Sequence, residues 1–515
     1  MRKLILIILD GWGIAKPGKG NCISLANVKN YNYFLKKFPS TQLDASGVHV
    51  GLPPHTMGNS EVGHLHLGAG RVVWQPLQRM NNEIKSGEFF KNRELVEAMM
   101  HAKNKKSKLH LIGLCSHGCV HADIKHLYAL MKMAKTQGLK DVFVHFFADG
   151  RDVPEKSAAI FAKQIDENIR KIGIGKIASV IGRYYAMDRD NNWERTKAAY
   201  ELLTEGKGGR AKSIYEAIEK AYEGGAKTDY YIKPAVIIDG QGKPVATIDD
   251  NDSVIFFNTR TDRVRQLIKC FVLKRFRHFK RNVAKKLHFT AFVQTDSTIP
   301  ETRCRVAFNE LEVRNNFATV LEKAGIKEVR IAESEKYPHI TYFFNSQYEK
   351  PMKGEKRIFV ESAKVQSFDM KPEMSAYGIA EKALEQIKKG DYGFMLVNFA
   401  NTDIVGHSAN IPAIIKAAEV ADECVGKIVT EGLENGYTII FTSDHGNAEE
   451  KLARDGTPIP SHSSNKVPFI LISNEKVFSK ARLRKEGGLI DVAPTMIEII
   501  GLKKPREMTG RSLIV

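Results

Sequence analysis

Residues 4–13 read LILIILDGWG. Six consecutive apolar residues halted by an acid and two glycines describe a short buried strand that ends abruptly in a loop, the unit from which α/β sheets are assembled. Gly11 and Gly13 permit the backbone after the strand to pack closely. In open α/β sheets ligands collect beyond the carboxyl ends of the strands. Asp10 therefore marks both a fold class and the first place to look for chemistry.

Working outward, runs of the same kind stand at residues 109–113, 142–147, 177–181, 254–257, 393–399, 437–441 and 467–472, separated by helical patterns. Alternation over the whole length predicts an α/β protein with parallel sheets. A chain of 515 residues is roughly three times a typical domain. The simplest topology inserts a middle α/β domain, residues 76–310, into a discontinuous outer domain, residues 1–75 and 311–515, with crossings near 75 and 310. Apolar residues at 43% and charged residues at 27% exclude disordered and fibrous classes. The apolar run at 4–9 is too short for a signal peptide or a membrane span. Six scattered cysteines suit a reducing compartment, so a cytoplasmic protein without a membrane partner is expected.

Basic residues exceed acidic ones by 78 to 59, a net charge of +19 that attracts anions. Eight Lys or Arg and no acid lie in residues 269–286, KCFVLKRFRHFKRNVAKK. Such a run suits nucleic acid. Val272, Phe276, Phe279 and Val283, however, recur at helical spacing, which predicts an amphipathic helix with a solvated basic face and no nucleic-acid partner.

Two chemically different sets of residues follow the strands. Toward the termini come Asp10, Asp403 with His407 in NTDIVGH, Asp444 with His445 in FTSDHGNAE, and His462 in SHSSNKVP. Asp403 and His407, four apart, share one face of a helical turn. Singly each is an ordinary cap or hydrogen-bonding residue. Together, three carboxylates and three imidazoles at the strand ends of one domain demand a cation, and the mixed oxygen and nitrogen donors suit Mn, Zn, Fe or Co, with enough ligands for two ions. The middle strands are followed instead by His121, Arg151, Arg183, Arg189, Arg260 and Arg263, an anion clamp of bidentate guanidinium forks. Cys115 and Cys119 in CSHGCVHAD lack structural-zinc spacing and belong to the loop that delivers His121. In GNSEVGH, residues 58–64, Ser60 opens a helix running through Leu67. A helix N-terminus favours an alkoxide and a bound phosphate, and coordination to a metal ion can activate such a serine without a histidine base.

The motifs LIILDGWG, GNSEVGH, ADGRD, GRYYAMDRDNNWERT, NTRTDRVRQL, NFANTDIVGH and TSDHGNAE, in that order, make the chain resemble the cofactor-independent (2,3-bisphosphoglycerate-independent) phosphoglycerate mutases, whose outer domain is alkaline-phosphatase-like. The resemblance spans residue 2 to about residue 510. It implies one Mn-type ion on Asp403, His407 and His462, a second on Asp10, Ser60, Asp444 and His445, and Ser60 as the phosphorylated residue. It carries over a substrate shell of His121, Arg151, Asp152, Arg183, Arg189, Arg260 and Arg263, plus Lys336 from ESEKY. The implied reaction interconverts 3-phosphoglycerate and 2-phosphoglycerate, with Asp152 shuttling protons, Lys336 balancing charge, no 2,3-bisphosphoglycerate, a monomeric chain, and domain closure to exclude water. The alternative is a metal-dependent phosphatase or another phosphomutase on the same outer domain. The chain departs from the family pattern at Thr259, Thr261 and Thr402, which bears on loop rigidity rather than reaction type.

Overall fold

The computed structural model describes residues 2–515 apart from 297, 298, 301, 310 and 311. It divides into two compact units, Met1–Gln75 with Leu311–Val515, and Pro76–Glu310. Residues 310 and 311, on either side of the second expected crossing, lie outside the described residues.

The outer unit is built on a seven-stranded sheet, edge to edge Glu355–Val360, Glu328–Glu333, Phe394–Phe399, Lys3–Leu9, Tyr437–Thr442, Val467–Ile472 and Ser40–Leu43. Leu4 to Leu9 are completely buried because both faces are covered. Ile5, Ile7 and Leu9 pack with Ile379 and Ala383 of helix Ala376–Lys389 and with Ala417 and Ala421 of helix Ile411–Glu434. Leu4, Leu6 and Ile8 pack on the other side with Leu67, Val492 and Met496. Strand register then sets the chemistry: Leu9 lies opposite Phe399 and Ile8 opposite Thr442, so Asp10 and the segments carrying Asp403 and Asp444 leave three neighbouring strands at one level.

The inner unit holds an eight-stranded sheet, Arg305–Val306, His288–Ala291, Ser253–Phe256, Leu109–Leu114, Val142–Ala148, Lys176–Gly182, Ala235–Ile237 and Gly209–Ala211, packed on a large apolar core. All eight expected strands are present. The sheets are mixed rather than purely parallel. Val467–Ile472 runs antiparallel to both its neighbours, and Ala235–Ile237 runs antiparallel to Lys176–Gly182. Strands that escaped the sequence reading are short, at a sheet edge or polar. Glu328–Glu333, EVRIAE, is buried only because Arg330 pairs with Glu328 at 3.0 Å and Glu355 at 3.6 Å.

The helix expected across the basic run is a correction. Helix Arg265–Val272 ends there, and residues 273–287 follow an irregular path. The Arg281 guanidinium donates to the carbonyls of Cys270 and Leu273, satisfying the helix end and turning the chain away. Phe276 and Phe279 still pack on the core, whereas Val283 is exposed. Eight like charges in one helix would also repel one another at i, i+4.

The inner sheet buries an imidazole chain across its strands: Asp252 Oδ2 to His110 Nε2 at 3.1 Å, His110 Nδ1 to His145 Nε2 at 2.9 Å, and His145 Nδ1 to Ser179 Oγ at 2.8 Å. Burial lowers the pKa of His110 and of His145, and it pushes His126 down to about 4 against the opposing pull of Asp123. Folding thus favours neutral rings. That stability is fully present above pH 6.5 and is lost as pH falls from there toward 4. Urea midpoints at pH 7.5 and pH 5 should show acid destabilisation, with His126 alone contributing about 2 kcal/mol of the loss at pH 5.

Candidate active site

Ser60 is the first residue of helix Ser60–Ala69, whose cap is its neighbour Asn59, with Asn59 Oδ1 accepting from Val62 N at 3.1 Å. The serine hydroxyl is left free for other partners. It donates to Asp10 Oδ1 at 3.0 Å, lies 3.0 Å from His445 Nε2 and accepts from Lys336 Nζ at 2.6 Å. The same ammonium reaches Asp10 Oδ1 and Asp403 Oδ2, each at 2.6 Å. His462 Nε2 lies 3.1 Å from Asp403 Oδ1 and 3.1 Å from His407 Nε2, and Asp444 Oδ2 lies 3.6 Å from His445 Nε2. All seven expected metal-site residues, with Lys336, are therefore brought into one cluster. Asp10, Ser60, Lys336, Asp403, Asp444 and His445 are buried, and His407 is the exposed member.

Two glycines allow this convergence. Gly11 has φ +71°, and a Cβ there would stand 2.9 Å from Asp403 Cα. A Cβ on Gly63 would fall 2.6 Å from the Asp444 carbonyl oxygen. Gly63→Ala should push Asp444 aside while the fold survives. We expect a 10–100-fold loss of divalent-cation affinity, the usual scale for a disturbed ligand support, measured by calorimetric titration.

The charges decide what the cluster can hold. Burial alone would lower the His445 pKa, yet Asp444, Asp403 and Asp10 push it up to about 10. Lys336 is raised by Asp10 and Asp403 against its own burial, and both carboxylates are held well below the usual range, chiefly by Lys336 once burial is offset. Three buried carboxylates, Asp10, Asp403 and Asp444, outnumber the two cations they hold, Lys336 and protonated His445. Asp444 Oδ2 is buried and, among the described residues, accepts no hydrogen bond. His407 and His462 each turn Nδ1 to a carbonyl, Pro460 O at 2.9 Å and Gly58 O at 2.8 Å, which leaves their Nε2 lone pairs facing each other. Excess negative charge, an undonated carboxylate oxygen and converging lone pairs fit divalent cations. Ligand atoms fall within 4.8 Å of one another in two groups, Asp403 with His445 and His462, and Asp10 with His64 and Asp444.

His64 was not singled out by the sequence reading, although it closes the GNSEVGH motif. Its Nδ1 lies 2.9 Å from Ser60 O and 3.2 Å from Asp444 Oδ2, and Asn398 Nδ2 bridges its Nε2 to Asp10 Oδ2, both at 3.0 Å. Asn447 Nδ2 donates to Asp403 Oδ1 at 2.7 Å, and Lys451 holds Asn447 in turn. Thr402 donates its hydroxyl to the Asp10 carbonyl and so ties together the loops that carry Asp10 and Asp403.

The inner unit gathers the second set. Arg183 is buried and its Nη1 pairs with Asp149 Oδ1 at 2.6 Å and Asp152 Oδ2 at 2.5 Å. Asp262 serves as a second hub, 2.7 Å from Arg189 Nη1, 3.2 Å from Arg260 Nε and 3.8 Å from His121 Nδ1. Burial lowers the Arg263 pKa, and the charges of Arg189, Arg183 and Arg151 lower it further. Burial and then Arg183 push His121 down to about 4, so the ring is neutral. Thr259 N donates to the His121 carbonyl at 2.7 Å, fixing that loop. Asp149 and Asp262, which organise the arginines, lay in quoted motifs but carried no signal of their own.

Residues 80–297 match the family model described as BPG-independent PGAM N-terminus, and residues 278–504 match Type I phosphodiesterase / nucleotide pyrophosphatase. The chain is 48% identical over 515 residues to a 2,3-bisphosphoglycerate-independent phosphoglycerate mutase of Moorella thermoacetica, covering 100% of this chain and 98% of that protein. It is 46% identical over 514 residues to the protein of the same name from Clostridioides difficile, covering 100% and 99%. A solved Leishmania mexicana phosphoglycerate mutase, determined at low cobalt concentration, is 30% identical with a TM-score of 0.64, covering 100% of this chain and 98% of that one.

Proposed function

Because the chain belongs to the 2,3-bisphosphoglycerate-independent phosphoglycerate mutases, we propose that it interconverts 3-phosphoglycerate and 2-phosphoglycerate through a phosphorylated Ser60. The observation that carries the residue assignment is the Ser60 hydroxyl, held 2.6 Å from Lys336 Nζ and 3.0 Å from both Asp10 Oδ1 and His445 Nε2.

Asp403, His407 and His462 would hold one divalent cation, and Asp10, Ser60, Asp444 and His445 a second, Mn2+ in our reading. When bound, these ions supply Lewis-acid charge that lowers the pKa of the serine hydroxyl and neutralises phosphoryl oxygens. Ser60 Oγ, its proton released to solvent, attacks phosphorus in line as the bond from phosphorus to the substrate's 3-oxygen breaks. Lys336 offsets the charge that builds on the transferring group. The helix N-terminus at Ser60 adds a favourable potential for the phosphoserine.

Glycerate is the leaving group, and it must be kept. His121, Arg151, Arg183, Arg189, Arg260 and Arg263 bind its carboxylate and hydroxyls, the guanidinium forks fixing orientation. Neutral His121 can hydrogen-bond a hydroxyl without adding charge. Asp152, tethered to Arg183, carries the proton between the 3- and 2-hydroxyls as glycerate turns, and the phosphoryl group returns to the 2-oxygen. We assign the chain to the cytoplasm as a monomer, its six free cysteines suiting a reducing compartment.

The test is isomerisation of 3-phosphoglycerate without added bisphosphoglycerate. Activity should vanish with chelator and return with Mn2+. Release of inorganic phosphate in place of 2-phosphoglycerate would assign the site to a phosphatase instead.

A further inference from the structure

The irregular basic segment that follows helix Arg265–Val272 has no place in the mutase chemistry. Lys274, Arg275, Arg277, Lys280, Lys285 and Lys286 are exposed, and among the described residues none of their side chains meets a carboxylate. Lys274, Arg277, Lys280 and Arg281, with Phe276 and Phe279, line a hollow of about 540 Å³. The aromatic members split in two directions. Phe276 and Phe279 turn inward against the core. Exposed His278 lies flat on Trp193, ring centroids 3.5 Å apart and planes 10° apart.

We propose that this segment is a binding surface for single-stranded nucleic acid. Six unpaired cations along one loop supply the electrostatic footprint for a phosphate backbone, and the His278–Trp193 stack supplies a flat aromatic platform on which an unpaired base can lie. A duplex groove is read by a projecting helix or strand, and the structure has neither here. An anionic membrane calls for an exposed apolar face beside the charges, whereas Phe276 and Phe279 are half-buried against the core and Val283 alone is an exposed apolar side chain of this loop. The expectation of no nucleic-acid partner rested on an amphipathic helix that the structure replaces with this loop.

The experiment uses the full chain and a fluorescein-labelled oligouridylate RNA of about 20 nucleotides, read by anisotropy across KCl concentrations. Six phosphate contacts give a slope of log K against log salt near −4, so affinity should fall more than about 100-fold between 50 and 200 mM. Lys274→Glu/Arg275→Glu/Arg277→Glu/Lys280→Glu should abolish binding, and the matching four Gln substitutions should flatten the slope to about −1. Both should keep wild-type mutase activity, which also reports that they fold. A charge-matched variant elsewhere, Lys36→Glu/Lys37→Glu/Lys350→Glu/Lys353→Glu, should retain most of the binding. His278→Ala should weaken binding several-fold at unchanged slope. Equal losses in the loop and remote variants would overturn the assignment, as would tighter binding to a duplex of the same sequence or to phosphatidylserine vesicles.

Discussion

Ser60→Ala loses mutase activity by at least about 10⁴-fold, the scale on which removal of a nucleophile acts when no neighbouring group can replace it. His445 cannot substitute, since in the active enzyme its Nε2 would be committed to the second cation. The fold should be unaffected, because the helix cap is Asn59 and the serine is not needed to start the helix. Mass spectrometry after rapid acid quenching with 3-phosphoglycerate should find phosphate on Ser60 in the wild type and none in the variant. A variant retaining a tenth of the activity would remove Ser60 from the mechanism.

Lys336→Met is the second large effect and the more diagnostic one. Lys336 touches Asp10, Asp403 and Ser60 together, and its side chain is 3% exposed. Deleting one partner of a buried ion pair leaves uncompensated charge and costs about 3–5 kcal/mol. Metal-free variant should therefore melt well below metal-free wild type, by roughly 6–20 °C at the 2–4 °C per kcal/mol usual for a unit of this size. Divalent cations should narrow the gap, because they neutralise the same carboxylates. Activity with metal restored should still fall about 10²–10³-fold, since the ammonium no longer offsets charge on the transferring phosphoryl group. A melting gap that metal leaves unchanged would mean that Lys336 supports packing elsewhere.

Much of this was legible in the sequence because it depends on local rules. The run 4–9 had to be a buried strand, and Asp10 had to leave it, since an unpaired carboxylate cannot continue between two apolar layers. GNSEVGH announced a helix start, and Asp403 with His407 announced one face of a turn. Basic residues at 269–286 misled for the same local reason. Helical spacing of four apolar residues was real, but Arg281 reaching back to the carbonyls of Cys270 and Leu273 is a contact that spacing does not encode.

Taken alone, the sequence determined the α/β class, the eight principal strands and the residue types delivered at their ends, because strand burial and helix starts follow from patterns a few residues long. Only the tertiary structure decided that Ile8 and Leu9 stand level with Thr442 and Phe399, that Lys336 lies between Asp10 and Asp403 from 67 residues or more away in the chain, and that His64, Asn398, Asp149 and Asp262 organise the two clusters. Register between distant strands and the pairing of buried charges are set by the energy of the whole packed assembly. No short stretch of the chain carries that information.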